Sequence, residues 1–158
     1  MNTIFLDIDG VLNSHRSVIA KIKPLAGYSS YMERHHTDID PVAVGLLRVL
    51  TKSAKAEIVI SSSWRILHPE IQFYKDLFSE FKWFGAPVVG FTPRVDSGFR
   101  GQEVQQYIDT NDFFTGPYII FDDDSDFFEH QPLIHVDGRN GLSCENYVEA
   151  CKRFGCEV

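Results

Sequence analysis

Two aspartates one residue apart, Asp7 and Asp9, follow the apolar run Ile4-Phe5-Leu6, and Gly10 comes directly after them. Carboxylates at that spacing can flank one reaction centre while the glycine turns the backbone sharply behind them. One carboxylate can attack an electrophile, which splits a difficult displacement into two easier ones. The other can protonate the leaving oxygen and then activate water. A second acidic run, Asp122-Asp123-Asp124-Ser125-Asp126, follows the apolar segment Tyr118-Ile119-Ile120-Phe121. Carboxylates gathered this way repel one another and raise each other's pKa values unless a cation intervenes. An all-oxygen cluster prefers a hard ion. A few carboxylates, retained waters and a substrate phosphate are the usual shell of Mg2+.

A phosphate needs donors and positive charge on its other side. Ser61-Ser62-Ser63 follow the apolar run Ile58-Val59-Ile60 and can donate. Spacing leaves Ser61, Ser62 and Ser63 as alternatives; Ser61 and Ser62 are taken as the candidates, and counting along the strand favours Ser62. Arg100 is the candidate cation, with Arg65 and Arg94 as competitors. Together with the metal it would spread the charge of a transferring phosphoryl group. Asp7, Asp9, Asp122 and Asp123 are the candidate metal ligands. Asp126 is assigned either to a metal-bound water or to a helix cap.

These groups must be held by elements that the rest of the chain supplies. Strands are predicted at about Thr3–Ile8, Ile58–Ile60, Pro87–Phe91, Tyr118–Phe121 and Leu133–Val136. Asp40 and Pro41 are an N-cap and a first helical residue, with Val42, Leu46, Val49 and Leu50 as the apolar face. A second helix opens at Pro69 and carries Ile71, Tyr74, Leu77, Phe78 and Phe81. A third follows Gly101 with Val104, Tyr107 and Ile108. Ser143 caps a last one bearing Tyr147, Val148, Cys151 and Phe154. Trp64 is assigned to core packing. Apolar strands alternating with helices predict an α/β, three-layer doubly wound parallel sheet. Ligands of such sheets lie beyond the C-terminal strand ends, at the switch point, where the aspartates and serines fall.

The 158 residues suit one domain, 1–158, with 44% apolar and 23% charged side chains. A formal net charge of −7 lends no support to general nucleic-acid affinity. No apolar run is long enough for a membrane span and no leader pattern is legible, so a cytoplasmic location is the default expectation. Cys144, Cys151 and Cys156 match neither a disulfide framework nor a common zinc module. Residues 13–39 break the alternation. They carry Arg16, Lys21, Lys23, Arg34, His35 and His36 with Tyr28 and Tyr31, and the expectation is a flap or minimal cap over the site.

The chain resembles the haloacid dehalogenase-like (HAD) superfamily of phosphatases. Ile4 to Leu12 is similar to its first motif, an apolar strand ending in DxDG[TV]L, which implies a nucleophile at Asp7 and an acid/base at Asp9. Ile58 to Ser62 resembles the second motif, Arg100 takes the place of the third-motif cation, and Ile119 to Asp123 resembles the fourth, whose acids hold Mg2+. The resemblance implies a strand order 5-4-1-2-3. A closer likeness is to the small HAD domains of "Swiss Army Knife" RNA-repair proteins, carried by Leu6 to Asn13, Ser61 to Arg65 and Gly141-Leu142-Ser143.

Asp9 argues for phosphomonoester hydrolysis, because superfamily dehalogenases and phosphonatases lack that group. The expected enzyme is a Mg2+-dependent phosphatase using a phosphoaspartate. Its expected partner is a phosphorylated substrate, with a nucleic-acid 3′-phosphate end or a nucleotide as candidates. A phosphotransferase, a small-metabolite phosphatase and a catalytically silent phosphate-binding module are the rival readings.

Overall fold

The computed structural model describes residues 1–22 and 38–158. Five strands form one sheet: β1 (Asn2–Leu6), β2 (Ala56–Ile60), β3 (Val88–Phe91), β4 (Tyr118–Asp122) and β5 (Leu133–His135). All pair in parallel, in the order β3-β2-β1-β4-β5, which is 5-4-1-2-3 read from the other edge. Leu6 pairs with Ile60 on one side and Phe121 on the other, so the ends of β1, β2 and β4 lie level. The order reverses between β1 and β4, and the crevice beyond that point belongs to Asp7 and Asp122.

The central strands are apolar on both faces because both faces are covered. Ile4, Leu6, Ile58, Ile60, Ile119 and Phe121 enter the larger core. The alternate residues Phe5, Val59 and Ile120 enter a smaller one. This is the two-residue period of a strand. The larger core is closed by α2 (Pro41–Ala54), α4 (Ile71–Glu80) and α6 (Cys144–Phe154). The smaller is closed by α5 (Arg100–Thr110), whose Tyr107 meets Phe5 edge to face at 5.5 Å. Two short helices complete the described chain: α1 (His15–Ile22) and the single turn α3 (Trp64–Leu67).

Asp40 caps α2 as expected, accepting from the Val42 amide at 2.8 Å, with Pro41 at the first position. The buried face of α2 agrees with the expectation at Leu50 and at half-buried Leu46 and differs from it at Val42 and Val49. Ala43, Val44, Leu47, Leu50, Thr51 and Ala54 face inward, while Val42 and Val49 are 60% and 51% exposed. Both sets have helical spacing. The inward one includes two alanines and a threonine, which let the helix approach the sheet closely and carry little hydropathy of their own. The Pro69 helix begins at Ile71, with Tyr74, Leu77 and Phe78 buried. Ser143 caps α6 in a reciprocal capping box with Asn146. Cys144 is exposed, Cys151 buried and Cys156 half-buried, all free. No described helix is long and apolar enough to cross a membrane.

The segment 13–39 is helical in its first part, where the sequence shows little periodicity. Its two ends are pinned together. Asn13 bridges Ile39 antiparallel, the Asp40 amide donates to the Leu12 carbonyl at 2.7 Å, and Ser17 Oγ donates to the Asp38 carbonyl at 2.8 Å. Arg16 is engaged with the cap residue Asp40 at 2.8 Å. Tyr28, Tyr31, Arg34 and the His35-His36 pair lie outside the described residues.

Candidate active site

Asp7 is the first residue beyond β1, and its amide donates to the Phe121 carbonyl of β4 at 3.0 Å. The strand thus extends one hydrogen bond past its end and delivers the carboxylate into the crevice. Asp7 is 3% exposed and Asp122, the last residue of β4, is 0% exposed. Asp123 follows on the turn. One carboxylate oxygen from each of Asp7, Asp122 and Asp123 lies within 4.8 Å of the others, the only such acidic group among the described residues.

Burial dominates the electrostatics. It pushes the Asp7 carboxyl up to about 6, against the pull of Arg100 and a hydrogen bond to the Ser62 side chain. It pushes Asp122 up to about 7, with the neighbouring Asp7 charge adding to the effect and Arg100 opposing it. Asp123 is also raised, first by burial and then by Asp124. Among the described residues, Asp7 Oδ1 and Asp122 Oδ2 are buried without a hydrogen bond. Such groups are costly unless a charge compensates them. Three converging carboxylates with two orphaned oxygens form a hard, anionic, oxygen-only donor set, which fits a divalent cation of the Mg2+ kind.

Two glycines shape the cradle. A Cβ on Gly10 would stand 2.2 Å from the Asp123 carboxylate, and one on Gly138 would stand 2.5 Å from Asp123 Oδ2. Gly10 also sits at φ +74°. Asp123 therefore fills space that side chains at 10 and 138 would need. Gly138 carries no recognisable signal in the sequence, since the β5–α6 loop comes to the site only through the fold.

Arg100, the first residue of α5, stands 3.6 Å from Asp7 Oδ2 and 3.6 Å from Asp122 Oδ2, and it donates to the Ser61 carbonyl. Burial weighs against its charge, but Asp7, Asp122, Glu103 and Asp126 more than offset this and raise its pKa. Arg65 is occupied elsewhere. It donates to the Thr92 carbonyl at 3.0 Å and to the Ser62 carbonyl, and it pairs with buried Glu103. The serines also separate. Ser62 lies close enough to Asp7 to favour its ionised form, and its Oγ accepts from the Trp64 amide at 3.4 Å; Ser61 Oγ accepts from the Thr92 hydroxyl at 3.4 Å, and Ser63 is exposed. Asp126 accepts from the Arg100 amide at 3.1 Å, so it closes the start of α5. Asp124 is exposed, and its amide donates to Asp122 Oδ1 at 2.9 Å.

The family model for the HAD domain in Swiss Army Knife RNA repair proteins matches residues 3–147. The chain belongs to that family. The match runs from the first strand through the start of α6, so it spans each of the candidate-site residues described above. Membership supports a HAD-type phosphohydrolase in general, and HAD domains are generally Mg2+-dependent. No curated protein and no solved structure matches the chain.

Asp9 stands apart from the carboxylate cluster. Its side chain is exposed, yet both oxygens are engaged: Asn13 Nδ2 donates to Oδ1 at 2.8 Å and Trp64 Nε1 to Oδ2 at 2.9 Å. Trp64 packs in the larger core, as its residue type predicts, and also reaches the site, which a packing assignment misses. An open cleft of about 710 Å³ lies beside Asp9, lined in part by Asn13, His15, Asp123, His135 and Arg139.

Proposed function

We propose that the chain is a Mg2+-dependent phosphomonoester hydrolase working through a phosphoaspartate on Asp7. The observation that carries this reading is the convergence of Asp7, Asp122 and Asp123, two of their buried oxygens orphaned, with Arg100 and Ser62 beside the nucleophile. Asp7, Asp122 and Asp123, with the Asp9 carbonyl, would hold the ion. When bound it supplies charge compensation for the carboxylates and for the phosphoryl group.

An Asp7 oxygen forms a bond to phosphorus while the bond from phosphorus to the leaving oxygen breaks. The electron pair stays with the leaving oxygen, which takes a proton from the Asp9 carboxyl. Water then attacks phosphorus, gives its proton to Asp9, and releases phosphate with the Asp7 carboxylate restored. Arg100 offsets the charge on the equatorial oxygens, and the Ser62 hydroxyl donates to one of them.

For the substrate, the reading is a nucleic-acid 3′-phosphate end. The family description names RNA repair. The cleft beside Asp9 is open, and the 13–39 insert leaves and returns at one pinned base next to it. A large phosphoester can therefore enter with its leaving group toward Asn13, His15 and Arg139.

The test is phosphate release from an aryl phosphate with and without Mg2+, followed by a panel that includes 3′-phosphorylated oligonucleotides. Asp7→Asn should lower turnover by several orders of magnitude, because an amide does not attack phosphorus. Beryllium fluoride should modify Asp7 alone. Turnover retained by Asp7→Asn would refute the nucleophile, and failure to hydrolyse the 3′-phosphorylated oligonucleotides while other phosphoesters turn over would refute the substrate.

A further inference from the structure

We propose that Trp64 and Asn13 are positioning residues for Asp9, fixing its carboxylate for proton transfer to poor leaving groups; this rests on the reading of Asp9 as the acid/base. An exposed aspartate directly before the glycine of a turn would ordinarily sample several rotamers. Here two neutral N–H donors meet its two oxygens, from Trp64 at 2.9 Å and from Asn13 at 2.8 Å. Two bonds from different directions set both side-chain torsions.

The two donors are themselves held. Trp64 is 8% exposed, lies in the larger core and opens the turn after the Ser61–Ser63 loop, so its indole is a rigid arm from the phosphate side of the site. Asn13 accepts from the Gly10 amide at 2.9 Å through Oδ1, which orients Nδ2 toward Asp9 and closes the turn behind Asp7. Asn13 is also a member of the bridge to Ile39 at the base of the insert. Neither donor consumes the proton-bearing capacity of Asp9, since each carboxylate oxygen has two lone-pair positions and gives one to its N–H partner. The carboxyl can thus carry a proton on a free position and deliver it without turning. The clamp matters most where the leaving oxygen is basic and needs that proton as its bond to phosphorus breaks.

The experiment compares kcat/KM, which reports formation of the phosphoaspartate, for an alkyl phosphate and for 2,4-dinitrophenyl phosphate. Wild type, Trp64→Phe, Asp9→Asn and the double variant are measured. Trp64→Phe keeps the aromatic packing and removes the donor. It should lower kcat/KM about 10- to 100-fold for the alkyl phosphate, and by a much smaller factor for the dinitrophenyl ester, which leaves without a proton. In the Asp9→Asn background the same substitution should cause no further loss on the alkyl phosphate, because residues acting as one unit are non-additive. Equal losses on both esters, no loss on either, or full additivity with Asp9→Asn would overturn the proposal. If Asp9→Asn itself lowers both esters equally, the acid/base reading of Asp9 fails, and that result is distinct from a failure confined to Trp64. If Trp64→Phe does not fold, Asn13→Asp serves in its place. It keeps the acceptor for the Gly10 amide and removes the donor to Asp9. As a carboxylate it also adds a like charge 2.8 Å from Asp9, so Asn13→Ala is measured beside it, which removes the donor to Asp9 without adding charge, and it is Asn13→Ala that is held to the same outcomes.

Discussion

A Cβ on Gly10 would stand 2.2 Å from the Asp123 carboxylate. Gly10→Ala therefore pushes Asp123 out of the cluster and forces a left-handed conformation costing about 1–2 kcal/mol. Activity should fall at least about 100-fold. The metal titration midpoint should move to higher Mg2+. Normal turnover at ordinary Mg2+ would show that Asp123 is not needed where it stands.

Arg100 faces two carboxylates that are themselves in the proposed metal cluster. Arg100→Ala should lower kcat by about 100- to 1,000-fold, the usual cost of losing one donor to a developing anion. Inorganic phosphate should also inhibit the variant less well. An unchanged inhibition constant would move the phosphate cation elsewhere.

The acid cluster predicts linked protons and metal. Burial holds Asp7 at about 6 and Asp122 at about 7, both above the ordinary 3.8. A raised folded pKa stabilises the metal-free fold at pH below 3.8, and that contribution is lost as pH rises through 6 to 7. Above that range the carboxylates are ionised and repel, which is where a cation helps most. Saturating Mg2+ should therefore raise the melting temperature more at pH 8 than at pH 5.5. Binding near neutral pH should also release protons, seen by calorimetry in buffers of different ionisation heat. Equal thermal shifts at both pH values would contradict the cluster.

Glu103 supports the site from behind. With Arg65 it forms a buried ion pair, and Arg65 holds the Ser62 carbonyl. Glu103→Gln leaves a buried guanidinium without its counter-charge and should cost about 3–5 kcal/mol in chemical denaturation. A loss under about 1 kcal/mol would mean that water replaces the carboxylate.

Charge reversal at Lys21 and Lys23 tests the insert. Turnover of an oligonucleotide 3′-phosphate should fall while a small aryl phosphate is spared. The remaining oligonucleotide activity should depend less on salt, because fewer phosphate contacts release fewer counterions. Equal effects on both substrates would remove the insert from recognition.

Much of this was readable in one dimension. The central strands announce themselves because each is short, apolar on both faces and bounded by polar residues. Polar residues gather at their ends because a parallel sheet leaves those ends open, so Asp7, Ser62 and Asp122 could be picked out as candidates from spacing. Capping at Asp40 and Ser143 was legible for the same reason, since a cap is a local bond between near neighbours. What spacing could not decide were contacts between segments far apart in the chain. The inward face of α2 was decided by which side of the helix could come closest to the sheet. That choice buried Ala43 and Ala54 and left Val42 outside. Arg65 and Arg100 are both arginines near the site. Only the fold gives one to Glu103 and the other to Asp7. Trp64 reads as core in any composition scale, and it is core. Its single N–H is what tertiary structure sends across 55 residues of chain to Asp9.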